Sequence, residues 1–357
     1  MIRIIADDKI PFLNSWHACF SDKPRAFELV CLPSGAITRE SVRKADALLV
    51  RTRTQCNESL LKGSRVSFIA SATIGHDHID KDYCLREGIQ WQNAPACNAD
   101  AVLQYMASAL AWIMQNTGRQ PHELQLGIVG LGQVGSRVHR LAKALGMPCL
   151  ANDPPRARLE GRTGFCELDE LLSAADIISL HVPLTDSGRD ATRHLINEGL
   201  LSQMKKQAWL INTSRGEVID SRHIKHALKN SLLKGVILDV WENEPLIDRE
   251  LLSLSHLGTP HIAGYSLQGK ANATTMVVQA LSRHFRLGTD DWQATVPSAQ
   301  DCEVKTENFT ERALSSYAIQ ADSERLKRRP EHFEQLREHY AYRNEKPLAW
   351  LVHRRSF

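Results

Sequence analysis

Two open α/β sheets built from parallel strands are the fold that this sequence predicts. Short apolar runs alternate with segments of helix length over the first ninety or so residues, and again from Leu124 to about residue 287. This alternation is typical of strands joined by helical crossovers. A chain of 357 residues also exceeds the size that one hydrophobic core usually serves, so we expect at least two domains.

The composition is that of an ordinary globular protein, with 43% hydrophobic residues, 24% charged residues and a formal net charge of +3. A charge this small does not favour a nucleic-acid or anionic-membrane surface. The eight cysteines contain no CxxC pair and no compact disulfide spacing, which indicates a reducing compartment. The first residues, MIRIIADDKIPF, lack the pattern of a secretory signal. We therefore expect a cytoplasmic protein that acts on a small molecule.

The first block of strands ends where the pattern changes near Asn98. This residue can cap a helix, and it precedes a long run of good helix formers that includes residues 101–114. That run is too short to cross a bilayer and is better explained as a buried helix. We place a domain boundary here. The strands predicted before it are IRII, FELVCL, ALLV and VSFIA, and those after it are LQLGIVG, PCLAND, DIISLHV, AWLINTS and GVILDV.

A glycine-rich loop follows the first strand of the second block. Gly130 permits a tight turn, Gly132 lets the backbone approach a pyrophosphate, and Gly135 lets the next helix pack closely on the strand. Gln133 and Val134 complete this GLGQVG loop, whose helix N-terminus would attract phosphate. The loop is predicted to bind a dinucleotide; the alternative is an ordinary strand-to-helix turn.

Asp153 ends the next apolar strand, 18 residues after Gly135. This is close to the spacing at which an acidic residue bonds the adenosine ribose hydroxyls. A carboxylate at this place favours NAD as the cofactor. Arg156 and Arg158 follow and could approach a 2′-phosphate, which leaves NADP open.

Three further segments begin at or just past the carboxyl ends of apolar strands: LINTSRGEVID, VILDVWENEP and TPHIAGYSLQGK. Ligands bind at that edge of an open α/β sheet. Arg215, Asp239, Glu244 and His261 are therefore expected to converge beside a bound nicotinamide. Taken singly, such an arginine is usually a surface charge, such a glutamate a loop residue and such a histidine a structural one.

The residue types fit the oxidation of a 2-hydroxy acid. The planar fork of Arg215 can bind the substrate carboxylate through two hydrogen bonds. His261 can take the hydroxyl proton as a general base while C2 gives up a hydride. Glu244 would bond the other imidazole nitrogen and fix its tautomer.

These motifs resemble the D-isomer-specific 2-hydroxyacid dehydrogenases, whose signatures occur here in order. Within that family, several segments resemble a branch that acts on a small phosphorylated hydroxy acid. The family motifs are GIVGLGQVG, LDELLSAADIISLHVPLT, INTSRGEVID, DVWENEP and TPHIAGY; the branch segments are RTRTQCNESLL, SATIGHDHID, NAPACNADAV, NDPPRA and HIAGYSLQGKANATT.

The resemblance implies a Rossmann nucleotide domain inserted in a flavodoxin-like substrate domain, with a small C-terminal dimerisation domain. FEQLREHYAYRNE resembles part of that last domain and implies a homodimer. The implied boundaries are 1–95 and 258–286 for the two parts of the substrate domain, 96–257 for the NAD-binding domain and 287–357 for the dimerisation region.

The resemblance also implies roles for individual residues. Arg215, Glu244 and His261 match catalytic positions. Ala96 stands where the family usually has glycine, and Val182 where it often has threonine. We hypothesise that Arg51, Arg53 or Arg343 binds the substrate phosphate. Further matched positions are Asp153, Val182, Thr213, Ser214, Asp239 and Gly264 for the cofactor, and Thr52, Thr73 and Tyr265 for the substrate.

The expected activity is NAD-dependent oxidation of a phosphorylated 2-hydroxy acid. One alternative is a related dehydrogenase of the phosphoglycerate or glyoxylate type. Another is a regulator that binds the dinucleotide without turnover. No metal site is expected, although His76, Asp77, His78 and Asp80 form a cluster of ligand types, because such close neighbours need not converge.

Overall fold

The computed structural model describes residues 1–20, 27–296 and 308–345. Their contacts form two units: the described parts of Met1–Asn98 with Ser266–Gln300, and of Ala99–Tyr265 with Asp301–Phe357. Each unit contains one open sheet of parallel strands, which confirms the two predicted α/β domains, while a separate small C-terminal domain stays a prediction. Among the described residues, no helix combines the length and apolarity that crossing a membrane requires.

The first unit has a five-stranded sheet in the order β2-β1-β3-β4-β5, which is the flavodoxin-like order. The inner strands β3 and β4 are fully buried, and apolar clusters lie on both faces of the sheet, as in most parallel sheets. The bounds are β1 (Ile2–Asp7), α1 (Leu13–Ala18), β2 (Phe27–Leu32), α2 (Arg39–Val42), β3 (Ala47–Val50), α3 (Glu58–Leu61), β4 (Phe68–Ser71), α4 (Lys81–Arg86), β5 (Gln90–Gln92) and, on return, α12 (Leu267–Phe285), with a 3₁₀ helix at Ser34–Ala36.

The second unit has a six-stranded parallel sheet in the order β11-β10-β9-β8-β6-β7. Strand β6 is flanked by β7 and β8, so the chain reverses direction across the sheet at the carboxyl end of β6. The bounds are α5 (Ala99–Thr117), β6 (Leu126–Val129), α6 (Gln133–Ala144), β7 (Cys149–Asn152), α7 (Pro154–Glu160), α8 (Leu168–Ala174), β8 (Ile177–Leu180), α9 (Glu198–Gln203), β9 (Ala208–Asn212), α10 (Ser221–Lys229), β10 (Leu233–Leu238), α11 (Arg249–Leu254), β11 (Leu257–Gly258), α13 (Phe309–Ser316), α14 (Ile319–Arg328) and α15 (Phe333–Glu338), with 3₁₀ helices at Pro121–Glu123, Gly216–Val218 and Pro330–His332.

The segment around Cys166 runs beside the outer edge of β7 without forming a full strand. The Cys166 N–H donates to the Ala151 carbonyl at 2.9 Å, and the Asn152 side chain donates to the Cys166 carbonyl at 2.8 Å. A strand at this position would give the 3-2-1-4-5-6 order typical of dinucleotide-binding sheets. Here the pairing is reduced to one backbone hydrogen bond and two side-chain contacts, the second between the Cys166 thiol and the Ala151 carbonyl at 3.5 Å.

The described C-terminal helices pack on the second unit. Ser108 of α5 donates to the Ala313 carbonyl at 3.0 Å, and Ser323 accepts from the Gly258 N–H at 3.0 Å. Phe333 is 1% exposed and lies in the same apolar cluster as strands β8 and β10. These helices therefore pack against the sheet and helices of their own unit. Dimerisation through residues 287–357 stays a prediction.

The chain returns to the first unit at Ser266, eight residues after the predicted boundary at position 258. Residues 258–265 stay with the second unit because β11 pairs with β10 and because Asp239 binds the backbone that follows. At the other boundary, α5 begins at Ala99, directly after the expected capping residue Asn98.

Candidate active site

The glycine loop at the end of β6 has the geometry that a bound pyrophosphate needs. Gly130 has a φ of +90°, and a Cβ there would lie 2.8 Å from the His181 carbonyl group. A Cβ on Gly135 would lie 2.0 Å from the Gly130 carbonyl oxygen, so α6 packs directly on the turn. Gly132 has open space around its Cα. Each glycine therefore meets a different steric requirement, and the space above Gly132 fits a dinucleotide phosphate.

The start of α6 is also suited to an anion. Gly132 is the N-cap, and within the described residues no side chain caps the helix. The first N–H groups of α6 thus keep the partial positive charge of a helix N-terminus. Gln133 is exposed at this end, and Val134 packs against the core.

Asp153 follows β7 and caps α7. Its carboxylate accepts from the Leu131 N–H at 2.8 Å and from the Arg156 N–H at 3.1 Å. The Arg156 guanidinium is paired with Glu160 through two contacts of 2.7 Å, and Arg158 is paired with Asp190. An acidic group therefore stands beside the glycine loop while both nearby arginines are held by carboxylates. This arrangement favours the ribose of NAD over a 2′-phosphate.

The ends of β8 and β9 adjoin the glycine turn. Val182 lies against Gly130, where a Cβ on the glycine would be 2.9 Å from the valine side chain. His181 bonds Ser179 at 2.8 Å and contacts the Thr213 hydroxyl at 3.4 Å. Burial lowers the pKa of His181 to about 3, so its imidazole is neutral at physiological pH. The His181 ring therefore adds no positive charge at this edge of the site.

His261 and Glu244 form a hydrogen-bonded couple beyond β10 and β11. Nδ1 of His261 lies 2.7 Å from Oε2 of Glu244, and Oε1 of the same carboxylate accepts from the Trp241 N–H at 3.0 Å. Because a carboxylate only accepts, the neutral imidazole carries its hydrogen on Nδ1 and leaves Nε2 as a base. Burial opposes the ionisation of Glu244, but His261 and Arg337 hold its pKa below the ordinary value.

Asp239 holds the backbone on both sides of His261. Its carboxylate is 1% exposed and accepts from the Thr259 hydroxyl at 2.7 Å and from the Ile262 and Ala263 N–H groups at 2.8 Å. The histidine itself has a φ of +57°, a left-handed conformation that costs a residue with a side chain about 1–2 kcal/mol. Asp239 thus stabilises the strained loop at His261, a use that its predicted role toward NAD did not include.

Arg215 lies in the loop after β9. Its Nη1 donates to the Ser214 carbonyl at 2.8 Å, and its own carbonyl accepts from Asn212 at 2.8 Å. The same Asn212 side chain accepts from the Ser214 hydroxyl at 2.7 Å. This turn directs the backbone at Arg215 before the short 3₁₀ helix that begins at Gly216.

Gly216 has a packing role that its place in the motif did not indicate. A Cβ at this position would lie 1.9 Å from the Trp241 carbonyl carbon and 2.4 Å from the Glu242 backbone nitrogen. The loop that carries Arg215 therefore rests directly on the loop that leads to Glu244. Only a residue without a side chain allows this approach.

Replacing Gly216 with alanine should lower stability by about 1–3 kcal/mol, because one of the two loops must move. We also expect kcat/KM to fall, since the displaced loops carry Arg215 and Glu244. Gly35→Ala is the matched control, since a Cβ there meets no atom within 4 Å. Urea unfolding curves and steady-state rates test both variants. Equal effects at positions 216 and 35 would contradict the tight backbone contact.

Comparison with known proteins places this unit in a family. The family model described as "D-isomer specific 2-hydroxyacid dehydrogenase, NAD binding domain" matches residues 100–263. Erythronate-4-phosphate dehydrogenase of Bacteroides fragilis is 44% identical over 98% of this chain and 99% of its own length. The chain belongs to the D-isomer specific 2-hydroxyacid dehydrogenases. The expected resemblance and the NAD assignment are thereby confirmed.

Two further relatives agree with this. Erythronate-4-phosphate dehydrogenase of Azotobacter vinelandii is 43% identical over 78% of this chain and 72% of its own length. The solved structure of D-lactate dehydrogenase from Aquifex aeolicus, complexed with NAD and lactic acid, matches with a TM-score of 0.66 and 26% identity, covering 83% of this chain and all of that one. The chain is therefore an NAD-dependent dehydrogenase.

The remaining predicted residues of the second unit lie near His261. Gly264 is in a turn closed by the Tyr265 N–H, which donates to the Ile262 carbonyl at 2.9 Å. The Tyr265 phenol oxygen accepts from Nε of Arg337 at 3.2 Å. Tyr265 is thus tied to the C-terminal segment, a connection that the sequence analysis missed.

Arg343 does not have the phosphate-binding role that the sequence suggested, because its guanidinium binds other parts of the protein. Its guanidinium donates to the Gln104 side chain at 3.0 Å and to four backbone carbonyls, while lying 4.4 Å from the Tyr317 ring centroid. These contacts use all five N–H groups that an arginine has, so none is left for a phosphate. Arg343 instead fastens the loop after His261; its carbonyl partners are Ala101, Ile262, Ala263 and Tyr265.

In the first unit, Thr52 and Thr73 follow the neighbouring strands β3 and β4, so both lie at the carboxyl edge of that sheet. The Thr73 hydroxyl contacts Ser71 at 2.6 Å and donates to the Gly75 carbonyl at 2.8 Å. Arg51 donates to Asp7 at 3.0 Å across the strand pair where the chain order reverses. Arg51 and Arg53 remain the candidates for the phosphate, and the roles of both threonines stay predictions.

The structure also accounts for Ala96 and His78. Ala96 has a φ of +63°, which explains why glycine suits that position better. His78 is 4% exposed and bonds Ser71 at 2.9 Å. Across the described ranges, no three His, Cys, Asp or Glu side chains are grouped so that they could hold a metal ion.

Proposed function

We propose that this chain oxidises 4-phospho-D-erythronate to 3-hydroxy-2-oxo-4-phosphobutanoate, with NAD as the hydride acceptor, in pyridoxine 5′-phosphate biosynthesis. The hydrogen bond of 2.7 Å between His261 and Glu244 carries the proposal, because it creates an oriented base in an NAD-binding unit. The substrate is suggested by the erythronate-4-phosphate dehydrogenase of Bacteroides fragilis, which is similar along nearly its whole length.

His261 acts as the general base. Its Nε2 takes the proton of the C2 hydroxyl, while its Nδ1–H stays hydrogen-bonded to the Glu244 carboxylate. The ionised carboxylate stabilises the imidazolium that forms. Asp239 keeps the loop in its strained conformation, so the imidazole does not need to be ordered during the reaction. In the reverse direction the imidazolium returns the proton to the 2-oxo group.

Arg215 binds the substrate carboxylate. Its fixed charge and planar fork can orient the acid and polarise the C2 oxygen as the carbonyl develops. NAD, when bound, supplies the acceptor for the hydride that leaves C2. The residues that would hold it are the GLGQVG backbone with Asp153, Val182, Thr213, Ser214, Asp239 and Gly264.

The phosphorylated substrate also needs groups that the catalytic trio does not provide. We assign substrate contacts to Thr52, Thr73 and Tyr265, because hydroxyls suit a polyhydroxy acid. Arg51 or Arg53 would bind the phosphate. We further expect a cytoplasmic homodimer, which sedimentation at several protein concentrations would test.

A substrate panel tests the proposal. The purified chain is assayed with NAD and 4-phospho-D-erythronate, 3-phospho-D-glycerate or glycolate, with hydrazine to trap the 2-oxo product, by the absorbance of NADH. The largest kcat/KM is expected for 4-phospho-D-erythronate. A preference for another acid would favour a sibling dehydrogenase. NAD binding without turnover of any acid would favour the regulator.

A further inference from the structure

The second unit contains a cation beside the His261–Glu244 couple that comes from the C-terminal segment. Nη1 of Arg337 lies 3.5 Å from Oε2 of Glu244, the same oxygen that His261 contacts. Nε of Arg337 donates to the phenol oxygen of Tyr265 at 3.2 Å. Arg337 lies outside residues 100–263, which the family model matches. One guanidinium therefore touches both the partner of the proposed base and a proposed substrate contact.

The burial of Arg337 makes this contact specific. Its side chain is only 12% exposed, and that of Glu244 only 18%. Taking a guanidinium out of water is costly unless acceptors compensate for the lost hydration. An arginine on a short terminal helix would ordinarily stay in solvent, as Arg328 does at 76% exposure. Arg337 is instead directed inward, onto Glu244 and Tyr265.

The helix that carries Arg337 is anchored on both sides. Phe333, at its start, is 1% exposed within the apolar core. Tyr340, just past its end, donates to the buried Asp322 carboxylate at 3.0 Å. These contacts limit the positions that the guanidinium can reach. The segment thus presents Arg337 in a defined place.

We propose that Arg337 is a positioning residue of the active site, which orients the Glu244 carboxylate toward His261 and the Tyr265 phenol toward the phosphorylated substrate. The proposal rests on the function proposed above. It gives the described C-terminal segment a part in the chemistry, separate from any part in dimerisation.

The effect on Glu244 is electrostatic and geometric. A carboxylate that is hydrogen-bonded to an imidazole and also ion-paired with a guanidinium has fewer orientations than one held by the imidazole alone. The positive charge also keeps Glu244 ionised, since Arg337 is one of the groups that lower its pKa. Within the described residues, Asp239 acts on His261, and both Asp239 and Tyr265 act on Arg337.

The effect on Tyr265 is one of direction. Because the phenol oxygen accepts from Nε of Arg337, its own hydrogen must point elsewhere. A phenol that accepts from a charged donor is also a stronger donor itself. In the proposal, that hydrogen is donated to an oxygen of the bound substrate.

The test compares Arg337→Gln and Arg337→Lys with the wild-type chain, and uses Arg328→Gln as the matched surface control. For Arg337→Gln we expect kcat/KM to fall about 10- to 100-fold, the range for losing a hydrogen bond to a charged group. The fall should lie mostly in kcat, with a smaller rise in KM for the phosphorylated acid. Lysine should restore part of kcat, and Arg328→Gln should match the wild type.

The pH profile separates positioning from a purely structural role. Removing the positive charge lets Glu244 take up a proton at higher pH, so the acidic limb of kcat/KM should move to higher pH in Arg337→Gln and return in Arg337→Lys. An unchanged limb together with an unchanged rate would overturn the inference. A loss of rate that only follows the loss of folded protein in melting curves would overturn it too.

A measurement without turnover keeps the inference separate from the proposed function. The ¹⁵N shifts of the His261 imidazole, assigned with His261→Asn, report its tautomer and titration in the resting protein. We expect a pure Nδ1–H form in the wild type and a mixed form in Arg337→Gln. If 4-phospho-D-erythronate is not oxidised but this shift change is seen, the proposed substrate fails and the positioning role stands. Identical shifts in both proteins would refute that role.

Discussion

Replacing His261 with asparagine should lower kcat by about 10²- to 10⁴-fold, the contribution that general acid–base catalysis usually makes. Asparagine suits the test because it tolerates the left-handed backbone that His261 adopts, with φ at +57°. NAD binding should persist, since the glycine loop is not altered. Steady-state rates with the preferred acid, together with NAD titration by fluorescence, measure the two effects.

The chain offers a matched control for this variant. His194 also has a positive φ, of +50°, and its Nε2 lies 2.6 Å from the Glu242 carboxylate. It is therefore a second His–Glu pair with the same backbone strain in the same unit. We expect His194→Asn to retain kcat within about threefold, in line with the small effect of most surface substitutions. Comparable losses in the two variants would argue against His261 as the base.

Replacing Arg215 with glutamine should lower kcat/KM by about 10²- to 10⁴-fold. The reason is the loss of two charge-assisted hydrogen bonds to the substrate carboxylate, each worth about 1.5–3 kcal/mol. Arg215→Lys should recover only part of this, because an ammonium keeps the charge but not the planar fork. Initial rates over a range of acid concentrations, at saturating NAD, measure the loss.

Arg222→Gln is the control for Arg215. Arg222 is 81% exposed and pairs with Asp220 at the start of the neighbouring helix α10. Its loss should leave kcat/KM close to the wild-type value. If Arg215→Lys were as active as the wild type, bidentate binding of the carboxylate would be wrong. If the control lost activity as well, the effect would reflect the fold of this region.

Much of the second sheet was predictable because its strands are short, apolar and followed by distinctive loops. The turn at Gly130 and the close packing at Gly135 follow from the order strand, glycine loop, helix. The weak edge beside β7 was not predictable, since Cys166 takes part in only one backbone bond there. Pairing at a sheet edge depends on what the rest of the chain leaves uncovered.

The hydrogen bond between His261 and Glu244 was expected from motifs at successive strand ends, and the structure contains it. The function of Asp239 under the same loop was not expected, because a strand-end aspartate has the same local pattern whether it faces a ligand or the backbone. Gly216 was likewise read only as part of a motif, and its contact with Trp241 depends on two loops meeting.

From the sequence alone follow the two parallel sheets, the dinucleotide loop and the residue types of the proposed catalytic trio, because each depends on a local pattern of apolar, glycine or charged residues. Only the tertiary structure decided that Arg337 reaches Glu244 and Tyr265 and that Arg343 fastens the loop after His261. In the sequence both arginines belong to FEQLREHYAYRNE, which was interpreted only by its resemblance to part of a dimerisation domain. Arg337 turns inward because α15 is anchored by Phe333, and a buried guanidinium is stable only where the fold brings acceptors to it.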